Sequence, residues 1–305
     1  MDYTARPKPP DGGPSPNAPP KTTADAAVPV CEPGSIRIVS WNVFSGAPNR
    51  DPEPFARVFQ ALRPDVILLQ EWINVDAVEL EEWFAEFVPI ESRWRIRQSA
   101  GRGVAIAARQ PLQRVGPFRL ELPKDLASQL PSIYFGPVVG FVAASLATPA
   151  GELVVASTHL TCCGGPNTIE EDRRIAEAEA INAALSDWRG ERMVFGGDLN
   201  LIGTNRPLDA LRAGLDRDRE NLAIAQLRIH GHETEAYTWR DSASRYPPGQ
   251  LDRMGYSARR LFATNSFILD ASRLSGEALE RSGLHDQDTC LSDHLPLVLD
   301  VSPMK

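Results

Sequence analysis

The chain has 305 residues, of which 42 % are hydrophobic and 24 % charged, with 26 Pro, 22 Gly and four Cys. This composition excludes disorder along the whole length and a disulfide-dense mini-protein, and no run reaches the ~20 apolar residues of a membrane-spanning helix. The net charge of −8, from 32 basic and 40 acidic residues, argues against a broad basic face for duplex nucleic acid.

Residues 1–34 are rich in Pro, Gly, Ser and Thr and show no apolar periodicity. Nothing there offsets the entropy of ordering a backbone, so a disordered tail or linker is expected. The segment lacks the apolar central region of a signal peptide. Tails of this kind commonly follow an export signal or an upstream domain, so an exported protein, periplasmic or extracellular, is expected, with a cytoplasmic one as the alternative. Residues 35–305 keep an even texture without a linker and read as one domain.

Along that domain, Ser35–Val43 alternates like a strand, and Pro52–Leu62 places Phe55, Val58, Phe59 and Leu62 on one helical face. Asp65–Gln70 is a short apolar run of the kind buried on both faces. Val75–Phe87 reads as an acidic helix with Val78, Trp83, Phe84 and Phe87 as its apolar residues. Strands are predicted at Trp94–Gln98, Gly103–Ala108, Val138–Leu146 and Glu152–Leu160. Thr168–Trp188 is the longest helical pattern, with Asp172, Arg173 and Arg174 on its wet side. Further strands fit Met193–Gly196, Tyr237–Trp239, Gln250–Tyr256, Phe262–Leu269 and Leu295–Val301. Several neighbouring strands have no helix between them, which predicts an α/β protein with mixed sheets.

Polar residues stand at the ends of these apolar strands: Asn42, Gln70 with Glu71, His159, Asp198 with Asn200, Asp252, and Asp293 with His294. Ligands gather where loops meet over a rigid sheet end. Glu71 and Asp293 are hard oxygen donors suited to Mg²⁺, and Asn42 and Asn200 offer neutral oxygens or amide donors. His159 and His294 move protons near neutral pH, while Asp198 and Asp252 can orient an imidazole or a water. Such a set suits in-line hydrolysis of a phosphoester. Singly, each residue has a plainer reading as a turn, a cap or a structural histidine.

The wording and order of the segments go further. SWNV, LLQEW, STHL, GGDLN, a late LDR and a terminal SDHLPL follow one another in the chain, and over residues 36–302 they resemble the endonuclease/exonuclease/phosphatase superfamily with its DNase I-like fold. The resemblance implies a four-layer α/β/β/α sandwich: two mixed β-sheets packed face to face, with outer helices. It implies a hydrolase dependent on Mg²⁺ or Mn²⁺, with Glu71 as principal metal ligand, Asn42 in support and Asp293 beside the metal. His294 would be the general base or the stabiliser of the phosphate, oriented by Asp252. Asp198 would position or activate the water, Asn200 would hold a phosphate oxygen, and His159 would contact the phosphate or serve the leaving group. The Asp252 segment departs from the usual pattern, with Arg253 where an aromatic residue commonly follows.

The expected substrate is a phosphodiester, of a nucleic acid, a nucleotide or a phospholipid head group. A phosphomonoesterase, a sphingomyelinase-like lipid hydrolase and a non-catalytic scaffold binding a phosphorylated ligand are the alternatives. Ser132–Phe135 is the one candidate for a membrane-docking hairpin. Arg93, Arg95, Arg97 and Arg102 read either as a phosphate-contacting row or, more plainly, as a solvated strand face. Nothing implies a stable protein partner, and a monomer is expected. The adjacent Cys162 and Cys163 are open to a vicinal disulfide, to bridges with Cys31 and Cys290, or to remaining free thiols; disulfides fit the expected export.

Overall fold

The computed structural model of the protein describes residues 23–101, 103–117, 119–130, 136–148, 151–241, 243–244 and 246–304. Ser132–Phe135 and Arg102 lie outside the described residues. The first sheet is built from β1 (Ile36–Asn42), β2 (Val66–Gln70), β3 (Arg95–Gln98), β4 (Ala105–Ala108), β12 (Leu261–Ile268) and β13 (Leu297–Pro303), in the order β12-β13-β1-β2-β4-β3. The second holds β5 (Leu112–Val115), β7 (Val138–Thr148), β8 (Gly151–His159), β9 (Met193–Asp198), β10 (Ala223–Ile224) and β11 (Asp252–Tyr256), in the order β10-β11-β9-β8-β7-β5, with β6 (Leu120–Glu121) pairing β7. In each sheet one pair is parallel, β1 with β2 and β8 with β9, among antiparallel neighbours. The sheets are therefore mixed, as the helix-poor spacing of the strands predicts.

Strand alternation sorts the side chains into layers. Ile38, Val66, Leu68, Val155, Val194 and Leu299 fill the space between the sheets. The intervening residues of β1 and β2, Val39, Trp41, Ile67 and Leu69, face α1 (Pro52–Leu62) and α2 (Ala77–Phe87). On the other side Val154, Ala156, Met193 and Phe195 pack against α4 (Ile169–Leu185) and α5 (Arg206–Arg212). These three apolar clusters separate four layers, the α/β/β/α sandwich. Gln70, at the end of β2, donates across the sheet interface to Ser157 Oγ at 2.9 Å.

The glycines of GGDLN have a packing reason. A Cβ at Gly196 would lie 2.9 Å from both Leu68 and Ser40 of the facing sheet, and one at Gly197 would lie 1.9 Å from the Thr158 carbonyl oxygen. Facing sheets ordinarily stand about 10 Å apart; the missing side chain at 196 lets them approach more closely at the end where the polar residues collect.

Several expectations change. Val78 is exposed, and α2 buries the unexpected Leu80 alongside the expected Phe84. Arg173 and Arg174 are fully buried, leaving Asp172 as the exposed member of that trio. Tyr237–Trp239 forms no strand, only isolated bridges from Trp239 to Gly249 and His294. The helix predicted to run to Trp188 ends at Leu185 and continues as a 3₁₀ turn, Ser186–Trp188. Within the segment read as a linker, residues 23–34 lie against the domain. Ala24 exchanges backbone hydrogen bonds with Arg273 and Ser275, and the Pro29 carbonyl accepts from Arg37 Nη1 at 2.7 Å. The donors and acceptors that hold this segment are distant in sequence, so its composition does not reveal them.

Candidate active site

The topology brings the polar strand ends to one rim. Parallel pairing sets Asn42 beside Gln70, which Glu71 follows, and sets His159 beside Asp198. Antiparallel pairing places Asp252, the first residue of β11, opposite Asp198, the last of β9. Asp293 and His294 enter the same rim just ahead of β13. Glu71 adopts a left-handed backbone (φ 58°) directly after β2, which turns the chain back at the rim. The loop after β1 wraps the carboxylate: Glu71 Oε2 accepts from Ser45 N at 3.0 Å and from Ser45 Oγ at 3.3 Å.

Asn42 ties the two sheets together at this point. Its Nδ2 donates to Glu71 Oε1 at 3.0 Å and to Asp198 Oδ2 at 3.1 Å, while its Oδ1 accepts from Phe44 N. The side-chain oxygen thus caps the following turn, and the amide aligns the carboxylates that converge on the site. Glu71, His159 and Asp198 bring ligand atoms within 4.8 Å of one another, and so do Asp198, Asp252 and His294. Asp198 belongs to both groups, with its Oδ2 3.5 Å from His159 Nε2 and 3.6 Å from His294 Nε2.

His294 Nδ1 lies 2.9 Å from Asp252 Oδ2. Thr238, which sequence reasoning did not single out, holds that carboxylate: its hydroxyl donates to Asp252 Oδ2 at 2.7 Å and accepts from the backbone N–H groups of Leu251 and Asp252. Burial disfavours the His294 imidazolium, but the carboxylates of Asp252 and Asp198 outweigh it and raise the pKa well above the usual value. Burial drives the Asp198 carboxyl upward despite the pull of His294. Burial also pushes Glu71 upward, but His159, the Asn42 amide and His294 together hold it below its ordinary range. The two acids Glu71 and Asp198 and the His294 imidazole are thereby set to different proton affinities.

The remaining candidates sit around this centre. Asn200, with φ 49°, donates from Nδ2 to the Leu160 carbonyl at 3.0 Å, and its backbone N–H caps Asp198 Oδ1. Its amide nitrogen is thus engaged with the loop after His159. Asp293 Oδ2 accepts from Trp239 Nε1 at 3.2 Å; Asp293 lines the same cavity without joining either ligand group found among the described residues. That cavity, about 780 Å³, is lined by Glu71, His159, Asp198, Asn200, Asp293 and His294 among others. Arg93, Arg95 and Arg97 do not line it; Arg93 pairs with Glu81 of α2.

Two carboxylates and an imidazole nitrogen aimed at one point suit a divalent cation. Glu71, Asp198 and His159 are the residues that would hold it, with Asn42 fixing the two carboxylates.

Fold and rim together define the class of α/β-sandwich phosphoesterases. Over residues 39–294 the sequence matches the Endonuclease/Exonuclease/phosphatase family, and the chain belongs to that family. Its fold is shared by a humanized D. rerio TDP2, at 14 % identity and TM-score 0.58, covering 88 % of this chain and 99 % of that one. The human Nocturnin catalytic domain, crystallised with a sulfate anion, is similar at 19 % identity and TM-score 0.56, covering 90 % and 97 %. An endonuclease/exonuclease/phosphatase from Bacteroides vulgatus is similar at 14 % identity and TM-score 0.59, covering 88 % and 99 %. No curated protein matches the sequence.

Proposed function

We propose that the protein is a divalent-cation-dependent phosphodiesterase, using Mg²⁺ or Mn²⁺, that cleaves its ester by in-line attack of water. The observation that carries this reading is the sharing of Asp198 between a cation-ligand group, Glu71–His159–Asp198, and an imidazole–carboxylate group, Asp252–His294. A cation bound at the first group would neutralise the phosphodiester anion and stabilise charge on the leaving oxygen. Asp198, whose Oδ2 lies 3.6 Å from His294 Nε2, would position the attacking water and take its proton. His294, held by Asp252 and Thr238, presents Nε2–H to a phosphate oxygen. His159, whose Nε2 lies 3.5 Å from Asp198 Oδ2, would complete the cation's ligands, and the leaving alkoxide would recover its proton from solvent.

The test is release of p-nitrophenol from bis-p-nitrophenyl phosphate and from p-nitrophenyl phosphate, with and without EDTA. Turnover of the diester, abolished by EDTA, is expected. His294→Ala and Asp198→Ala should each lower kcat roughly 100-fold or more. Near-wild-type turnover in both variants sinks the assignment, turnover of the monoester alone points to a phosphatase, and no turnover with no cation binding points to a scaffold. A vicinal disulfide suits an oxidising compartment, so we place the enzyme outside the cytoplasm, acting as a monomer. No described helix is long and apolar enough to cross a membrane.

A further inference from the structure

The catalytic groups make up only part of the cavity lining. The Cys162–Cys163 disulfide, Leu201, Ile202, Trp239 and Tyr246, with Pro247 and Pro248, line it too. A phosphate and a cation do not need about 780 Å³, so the apolar lining leaves room for something attached to the phosphate. Its surfaces are flat or rigid: two aromatic residues, a Pro-Pro step and a disulfide between adjacent residues. Flat rings stack on such walls, and sulfur makes favourable contacts with aromatic edges.

The loop carrying the disulfide is anchored from beneath. Arg174 of α4, fully buried, donates to the carbonyls of Thr161, Cys163 and Gly164. Glu177 accepts from Thr161 N and Thr161 Oγ1, both at 2.7 Å, and Arg173 pairs with the same carboxylate. Cys163 and Gly164 both have left-handed backbones (φ 72° and 67°). The carbonyls of Thr161, Cys163 and Gly164 are thus engaged on Arg174, and Cys162 and Cys163 line the cavity. Oxidation leaves their sulfurs without thiol protons, so they present an apolar surface. Cys31 and Cys290, outside this wall, are free thiols.

We propose that the Cys162–Cys163 disulfide, with Leu201, Ile202, Trp239 and Tyr246, forms a subsite for a flat aromatic ring carried by the ester, and so selects the substrate. This rests on the phosphoesterase reading for its context, but binding tests it without turnover. Calorimetry in Mg²⁺ with methyl phosphate, phenyl phosphate and adenosine 5′-phosphate measures what the ring contributes. In the wild type, at least one of the two ring-bearing ligands should bind about tenfold or more tightly than methyl phosphate, the order expected for burying a ring. Phenyl phosphate alone would mark a phenolic ring; adenosine 5′-phosphate would mark a nucleobase. The Cys162→Ser/Cys163→Ser variant should cut that ratio to about threefold or less, and Tyr246→Ser, at an exposed position, should lower it in the same direction. Equal affinities in the wild type, no binding of any ligand, or a ratio unchanged in both variants overturns the proposal. A ring preference without hydrolysis of any ester leaves the subsite standing and removes the phosphodiesterase reading instead.

Discussion

The two outer helical layers hold their sheets by opposite means. Over the first sheet, α1 and α2 close an aromatic stack in which Phe84 lies 5.6 Å from Phe59, 5.7 Å from Trp72 and 5.1 Å from Trp94 between ring centroids. Over the second, α4 buries Glu171, Arg173, Arg174 and Glu177 alongside its apolar residues. Apolar contact is non-directional and fixes spacing more than orientation. Buried charges demand particular partners, and here several of them lie in the loop that walls the cavity. The aromatic layer therefore stabilises the fold, whereas the charged layer also sets the shape of the site.

Two core substitutions of similar cost should separate these roles. Phe84→Ala should destabilise the protein by about 3–5 kcal/mol, read as a lower denaturant midpoint, while the folded fraction keeps its kcat and KM. Arg174→Met, which strips three carbonyls of their donor, should cost about 3 kcal/mol and in addition raise KM for a ring-bearing ester about tenfold. If Phe84→Ala disturbs KM as much, or Arg174→Met leaves it alone, the distinction between the layers fails.

Helix caps give a gentler version of the comparison. Asp76 caps α2 by accepting from Val78 N and Glu79 N, and Glu79 reciprocates. Thr168 caps α4 by accepting from Glu171 N, and its hydroxyl also donates to the Gly165 carbonyl at 2.8 Å. Asp76→Ala and Thr168→Ala should each cost about 1 kcal/mol, measured by thermal unfolding, but only Thr168→Ala should alter KM.

The smallest expected effect is on pH dependence. The folded-state pKa of His294 lies above its unfolded value, so its contribution to stability is complete below about pH 6.5 and is lost as pH rises through the folded pKa. Unfolding temperatures measured in EDTA should fall over that window in the wild type and fall less in Asp252→Asn, which lacks the carboxylate behind the imidazole. Parallel profiles for the two proteins would mean that Asp252 does not hold the charge.

The sheet strands and the rim residues were legible because a lone polar group after an apolar run is a strong local signal. Asn42, Glu71, His159 and Asp198 close such runs, whereas Asp252 opens β11 and His294 stands just ahead of β13. The way Asn42 divides its two side-chain atoms is not legible, because it depends on Phe44 N and on two carboxylates brought in by other strands. The burial of Arg173 and Arg174 escaped notice for a related reason: helical periodicity shows which face a residue takes, but not that an inward-turned loop waits there for its guanidinium. Thr238 acts on a residue 14 positions away, beyond any local pattern. The helices α3 (Lys124–Gln129), α5 and α6 (Gly276–Arg281), of six, seven and six residues, are too short to establish a period.

The bare backbone at Gly196 has a consequence beyond packing. By letting the sheets meet, it divides the rim between two bodies: Glu71 rides on one and Asp198 on the other, with Asn42 as their stitch. A cation held by both carboxylates would therefore fasten the halves of the molecule to each other, so that occupancy of the rim and resistance of the whole fold to unfolding would rise together.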